Sequence, residues 1–153
     1  DNDDDLSGVY RSDESRRDMA QLDAYMDAMK INWVFKKLMR KKIQSSGTDL
    51  TLTTTSEGIS FSISMPIVGT IANKIEYGVT KMVGVGMFSR EITAYKNDDG
   101  STTVEIKNPA KPYKPWIRRT FRRGTGPGEL VSISEAVLDG EVLAFHSTVN
   151  IPV

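Results

Sequence analysis

Two periodicities divide the chain. Leu22, Tyr25, Met26 and Met29 recur at i, i+3, i+4 and i+7, which places them on one face of a helix. Phe35, Leu38 and Met39 repeat the pattern after Ile31-Asn32, where the chain can turn. The spacing predicts two short helices, about 18–29 and 32–43, ending before Ser45-Ser46-Gly47. Their apolar stripes are suited to covering a core.

From Thr48 onward the pattern is alternation. Leu50 to Thr55 and Ile59 to Met65 flank the turn Ser56-Glu57-Gly58 and predict a hairpin with Thr and Ser on its wetter face. Lys74 to Val79 and Met82 to Phe88 read as further strands interrupted by glycine. Arg90 to Tyr95 and Thr102 to Lys107 flank the turn Asn97-Asp98-Asp99-Gly100. Trp116 to Arg123, Glu129 to Val137 and Glu141 to Ile151 complete the set, punctuated by Gly124 to Gly128 and Asp139-Gly140. Asn108 to Pro115, with three prolines, reads as a surface loop or edge. Counting a first strand around Leu6 to Ser12, about ten short antiparallel strands predict a mainly β, single up-and-down barrel. The helix pair between the first and second strands would cover its open end, and a barrel of this size can hold a ligand.

Length and composition narrow the classes. The 153 residues, 39% hydrophobic and 26% charged, suit one globular domain. The absence of cysteine excludes disulfides, thiolate nucleophiles and Cys-ligated metals, and one histidine excludes a His-rich site. No apolar run approaches the roughly 20 residues that span a bilayer as a helix. The 20 acidic and 20 basic side chains are unevenly placed. Four of the first five residues are Asp, so residues 1–5 read as a flexible acidic terminus and 6–153 as the barrel domain, with its lid at about 18–43. Lys36, Lys37, Arg40, Lys41 and Lys42 form one basic cluster; Arg118, Arg119, Arg122 and Arg123 form another.

The segment Leu22-Asp-Ala-Tyr-Met-Asp-Ala-Met-Lys-Ile-Asn-Trp-Val-Phe-Lys-Lys-Leu38 resembles the helix–turn–helix of the intracellular fatty-acid-binding proteins, members of the calycin superfamily. Gly8-Val9-Tyr10 is similar to the Gly-x-Trp of that family's first strand, and Lys74-Ile75-Glu76-Tyr77 to its Glu-Ile-x-Phe strand near the ligand portal. The chain departs from the family in about four extra residues between Tyr10 and Leu22, in Gln21-Leu22-Asp23 where Asn-Phe-Asp is usual, in the Pro-rich loop and in the long Gly124–Gly128 turn. It resembles a divergent member.

The resemblance implies a fatty acid or other small lipid held inside the barrel, with no cofactor, no metal and no catalytic residue. It implies Arg on a late strand and Arg-x-Tyr on the last as carboxylate ligands. Along Trp116 to Arg123, alternation puts Ile117, Arg119 and Phe121 on the more apolar side, and the family register favours the same Arg119. On the last strand the register puts His146 and Thr148 at the Arg and Tyr positions, yet Leu143, Phe145, Val149 and Ile151 form the more apolar face. A slip of one residue exchanges the two assignments. Tyr25, Met26 and Trp33 from the lid and Tyr77 and Phe121 from the barrel complete the ligand-contact set that the resemblance implies.

Lys36, Lys37, Arg40, Lys41 and Lys42 form either a solvated face or a membrane-docking face through which lipid is exchanged. The expectation is therefore a monomeric, non-enzymatic lipid carrier, cytoplasmic, or secreted if an N-terminal signal has been removed. Two alternatives stand beside it. One is a structural or stress-protective barrel without a tight ligand. The other is nucleic-acid binding by the Trp116–Arg123 strand, which zero net charge and a helical lid disfavour.

Overall fold

A computed structural model describes residues 5–65, 69–84 and 89–153. Ten strands are joined in one antiparallel sheet: β1 Gly8–Ser12, β2 Asp49–Thr54, β3 Gly58–Met65, β4 Gly69–Glu76, β5 Lys81–Val83, β6 Arg90–Lys96, β7 Thr102–Lys107, β8 Trp116–Arg123, β9 Leu130–Leu138 and β10 Glu141–Pro152. Their order, β4-β3-β2-β1-β10-β9-β8-β7-β6-β5, is an up-and-down meander in which β1 is clasped between β2 and β10. A bridge from Tyr77 to Ala94, with Gly78 N–H donating to the Ala94 carbonyl at 2.8 Å, draws the β4 end of the sheet to β6. The expected barrel with its lid is thus the observed architecture. Of the expected Met82–Phe88 strand, 82–83 is present in β5 and 85–88 lies outside the described residues, as do residues 1–4 of the acidic terminus.

The lid lies between β1 and β2: a short 3-10 helix Glu14–Arg16, then α1 Met19–Ala28 and α2 Trp33–Ser46. Each start is set by a capping side chain. The Asp18 carboxylate accepts from the N–H groups of Ala20 and Gln21, and Asn32 Oδ1 accepts from that of Val34. The second helix continues three residues past the expected 43, because Gly47, at φ +67, is what ends it. Its N–H donates to the Ile43 carbonyl at 2.8 Å, and a Cβ there would sit 2.7 Å from Ser12 Oγ. Lys36–Asp27 (2.7 Å) and Arg40–Asp23 (3.2 Å) ion pairs hold the two helices together.

Two buried clusters result. One fills the closed end of the barrel with Leu6, Tyr10, Leu52, Ile59 and Phe121 among its members. The other joins the lid to the wall through Leu22, Tyr25 and Met26 of α1, Ile43 of α2 and Ala136 of β9. Between them the interior remains open. Among the described residues no helix is long and apolar enough to cross a membrane.

Candidate functional site

The pairing registers arrange the inward side chains of the late strands in rows. Arg119 on β8 is level with Ser134 on β9, which is level with His146 on β10. In the next row Phe121, Ser132 and Thr148 are aligned, and beyond it Arg123, Leu130, Asn150 and Ser12. Arg119, Ser134, His146, Phe121, Ser132, Thr148 and Asn150 all line a cavity of about 480 Å³. That is within the size range of small-molecule sites. The opposite walls are largely apolar, with Leu50, Phe61, Ile92, Ile106 and Ile117 among the lining residues, and Tyr25, Met26, Met29 and Met39 form the roof beneath the lid.

Arg119 is an inward cation. Its Nε donates to Ser134 Oγ at 3.0 Å, and among the described residues it forms no ion pair with a carboxylate. Its neighbour Arg118 points outward, where Glu105 and Glu135 bracket it at 3.7 and 3.6 Å and its guanidinium lies over the Trp116 ring. A Trp116–Arg123 strand that kept Phe121 and Arg119 on its outer surface would suit nucleic acid. Both face the interior instead, and Phe121 is almost completely buried.

His146 and Thr148 face the cavity, and the apolar residues of β10 face away: Leu143, Phe145 and Ile151 are exposed. Hydrophobicity therefore points the wrong way on this strand. A closed barrel end is a packed core, but a wall facing a cavity can carry polar side chains at little cost when each finds a partner. Asn150 finds the Leu130 carbonyl at 3.1 Å and Ser132 Oγ at 3.2 Å. His146 is the exception. Its buried Nδ1 has no hydrogen-bond partner among the described residues. Burial first, then the charges of Arg119 and Arg17, push its pKa down to about 3, so the imidazole is neutral at physiological pH. Burial likewise raises the pKa of Tyr25, against a smaller opposite effect of Arg119.

The remaining expected contacts are divided by the structure. Tyr25, Met26 and Phe121 line the cavity. Trp33 does not: at the first turn of α2 its side chain is 73% exposed. Tyr77 packs beside the barrel core, with its hydroxyl buried and without a partner among the described residues, and it is not among the residues of the cavity wall. Of the basic cluster, Lys36 and Arg40 are engaged by α1, while Lys37, Lys41 and Lys42 are exposed beside Trp33, Val34 and Leu38.

Beyond Arg119, His146 and Thr148, the cavity has polar lining residues that the sequence did not single out, Arg90, Ser132, Ser134, Asn150 and Arg17 among them. Arg17, in the segment between the 3-10 helix and α1, reaches the cavity with a side chain only 3% exposed. Glu14 accepts from its Nε and Nη2 at 2.7 and 2.9 Å, and its Nη1 donates to Thr148 Oγ1 at 3.2 Å. The sequence signal is the extra stretch between Tyr10 and Leu22, which departs from the family pattern and carries this Arg. Among the described residues no group of three His, Cys, Asp or Glu side chains is placed to hold a metal ion.

A ten-stranded barrel, roofed by two helices inserted after its first strand and lined on one wall by an inward Arg, has the fatty-acid-binding-protein fold. Solved structures agree over nearly the whole chain. The Schistosoma mansoni fatty acid binding protein in complex with arachidonic acid superposes with a TM-score of 0.69 at 12% identity, covering 97% of this chain and 96% of that one. Lipid binding protein 8 of Caenorhabditis elegans gives 0.70 at 8% identity, covering 97% and 95%. Secretory abundant heat soluble protein 4 of Ramazzottius varieornatus gives 0.67 at 13% identity, covering 97% and 94%. No protein-family model and no curated protein sequence matches the chain. The likeness is one of fold.

Proposed function

We propose that this protein is a non-enzymatic carrier that binds a long-chain fatty acid, or a similar hydrophobic monocarboxylate, inside the barrel. The observation that carries the reading is Arg119: a cation without an acidic partner among the described residues, set in the wall of a largely apolar cavity. An inward guanidinium is costly to desolvate, and a carboxylate offsets that cost with two parallel hydrogen bonds. The apolar remainder of the cavity suits an alkyl chain, at roughly 0.8 kcal/mol per buried methylene. The neutral His146 and Thr148 complete the polar end as hydrogen-bonding groups that add no charge. Lys37, Lys41 and Lys42, beside the exposed Trp33 and Leu38, form a basic, amphipathic lid face for brief contact with an anionic membrane during loading.

The likeness to fatty-acid- and lipid-binding proteins supports this reading. The likeness to a secretory abundant heat soluble protein supports a second one, a stress-protective barrel without a tight ligand. Displacement of a fluorescent fatty acid by unlabelled palmitate, together with native mass spectrometry of the purified protein, decides between them. Saturable displacement is the expected result. Failure to bind any chain length would leave the second reading.

A further inference from the structure

The cavity wall carries two guanidiniums besides Arg119: Arg90, at the start of β6, and Arg17, which the strands do not account for. Arg17 belongs to no strand: it is delivered by the residues that lead into the lid, immediately before Asp18, the cap of α1. It is also built in. Beyond the two N–H groups held by Glu14 and the one on Thr148, two of its five N–H groups have no hydrogen-bond partner among the described residues. Its contact Thr148 lies two residues from His146 on one face of β10, and His146 is level with Ser134, which holds Arg119. Thr148 and Ser134 are therefore diagonal neighbours across the β9–β10 pair, with anchor points about 7–8 Å apart. Two guanidiniums seated on such neighbours converge on one region of the wall, and an anion between them can be reached by both.

We propose that Arg17 and Arg119 are the two halves of an anion clamp, one on the barrel wall and one on the lid's leading segment, so that a carboxylate in the cavity fastens the lid to the barrel whereas an uncharged lipid does not. The inference rests on the carrier reading above and adds to it a specificity residue and a coupling. Glu14 holds Arg17 in place by an ion pair at 2.7 Å, so the guanidinium is positioned before any ligand arrives. The coupling follows from chain connectivity. Anything that holds Arg17 also holds Asp18 and the first turn of α1, whose Gln21 Oε1 already accepts from the Ser147 N–H at 3.3 Å.

Palmitate and hexadecanol, matched in chain length, are the probes. Their affinities are measured on the wild type, Arg17→Gln, Arg17→Lys and Arg119→Gln, and amide hydrogen exchange is followed over residues 19–28 of the wild type with each lipid. Arg17→Gln should weaken palmitate by roughly five- to tenfold and hexadecanol much less, with Arg17→Lys intermediate. Palmitate should slow exchange in α1 of the wild type more than hexadecanol does, a comparison that needs no variant to fold. Equal protection by the two lipids would overturn the clamp. So would a palmitate affinity that depends on Arg119 and not on Arg17, a result that leaves the carrier reading standing. Absence of binding by the wild type would remove both.

Discussion

The Tyr25 ring stands edge-on to the His146 imidazole, with ring centroids 4.6 Å apart and planes at 67°. One ring belongs to the lid and the other to the last strand, so this contact seats α1 on the barrel. It also shields the imidazole from water, and that burial is the main reason His146 resists protonation.

An imidazole whose folded pKa is about 3, against 6.5 when unfolded, gives stability that is fully present above pH 6.5. Below that, the unfolded chain binds the proton and the folded one does not, so stability falls as the pH drops toward 3. The loss between pH 7 and pH 5 should be about 2 kcal/mol. His146→Phe keeps an aromatic partner for Tyr25 and should abolish that loss, as read from denaturant unfolding at the two pH values. An NMR titration in which the wild-type imidazole protonates near pH 6 would contradict the assignment.

Arg119→Gln should weaken a fatty acid by about ten- to 150-fold, the worth of a charge-assisted hydrogen bond of roughly 1.5–3 kcal/mol. The matching fatty alcohol should lose little. Arg118→Gln is the control, because Arg118 lies outside between Glu105 and Glu135 and should affect neither lipid. Equal losses for acid and alcohol would show that Arg119 does not read the carboxylate.

Changing Lys37, Lys41 and Lys42 together to Glu should slow transfer of a fluorescent fatty acid to anionic vesicles, with equilibrium affinity preserved. Lys36 and Arg40 are left in place because they hold α2 to α1. In a Trp116→Phe background the exposed Trp33 reports directly: its emission should shift to the blue on anionic vesicles and not on zwitterionic ones. Unchanged transfer would mean that the lysines only solvate the helix.

Gly58→Ala tests the β3–β4 pairing. A Cβ at this position would lie 2.3 Å from the Ile75 carbonyl oxygen and 3.0 Å from Glu76 Cα, both backbone atoms that cannot rotate away. A cost of roughly 1–3 kcal/mol follows, or about 2–4 °C in Tm for each kcal/mol. Gly78→Ala meets nothing within 4 Å among the described residues but needs φ +76, so it should be strained for a different reason and without harm to β3. A Gly58→Ala variant as stable as the wild type would show that the two strands can separate at this end.

Much was decided by local sequence. Period-two alternation from Leu50 to Met65, the turn residues around Gly58 and Gly100, and the helical stripe of Leu22, Tyr25 and Met26 each act over a few residues, and they specify strand, turn and helix wherever they occur. Arg119 was legible on the same terms, because Ile117 and Phe121 flank it on its own strand. What the tertiary structure alone decided lies where local and long-range rules part. On β10 the apolar face turned outward, because pairing with β9 fixes the pleat and a cavity wall, unlike a core, accommodates His146, Thr148 and Asn150. Trp33, which sequence similarity placed with the ligand, stands in solvent since α2 shows only Ile43 deeply to the interior. Arg17 could not be assigned from its neighbours at all. Its place beside Thr148, 131 residues away along the chain, exists only once β10 has closed the barrel against β1.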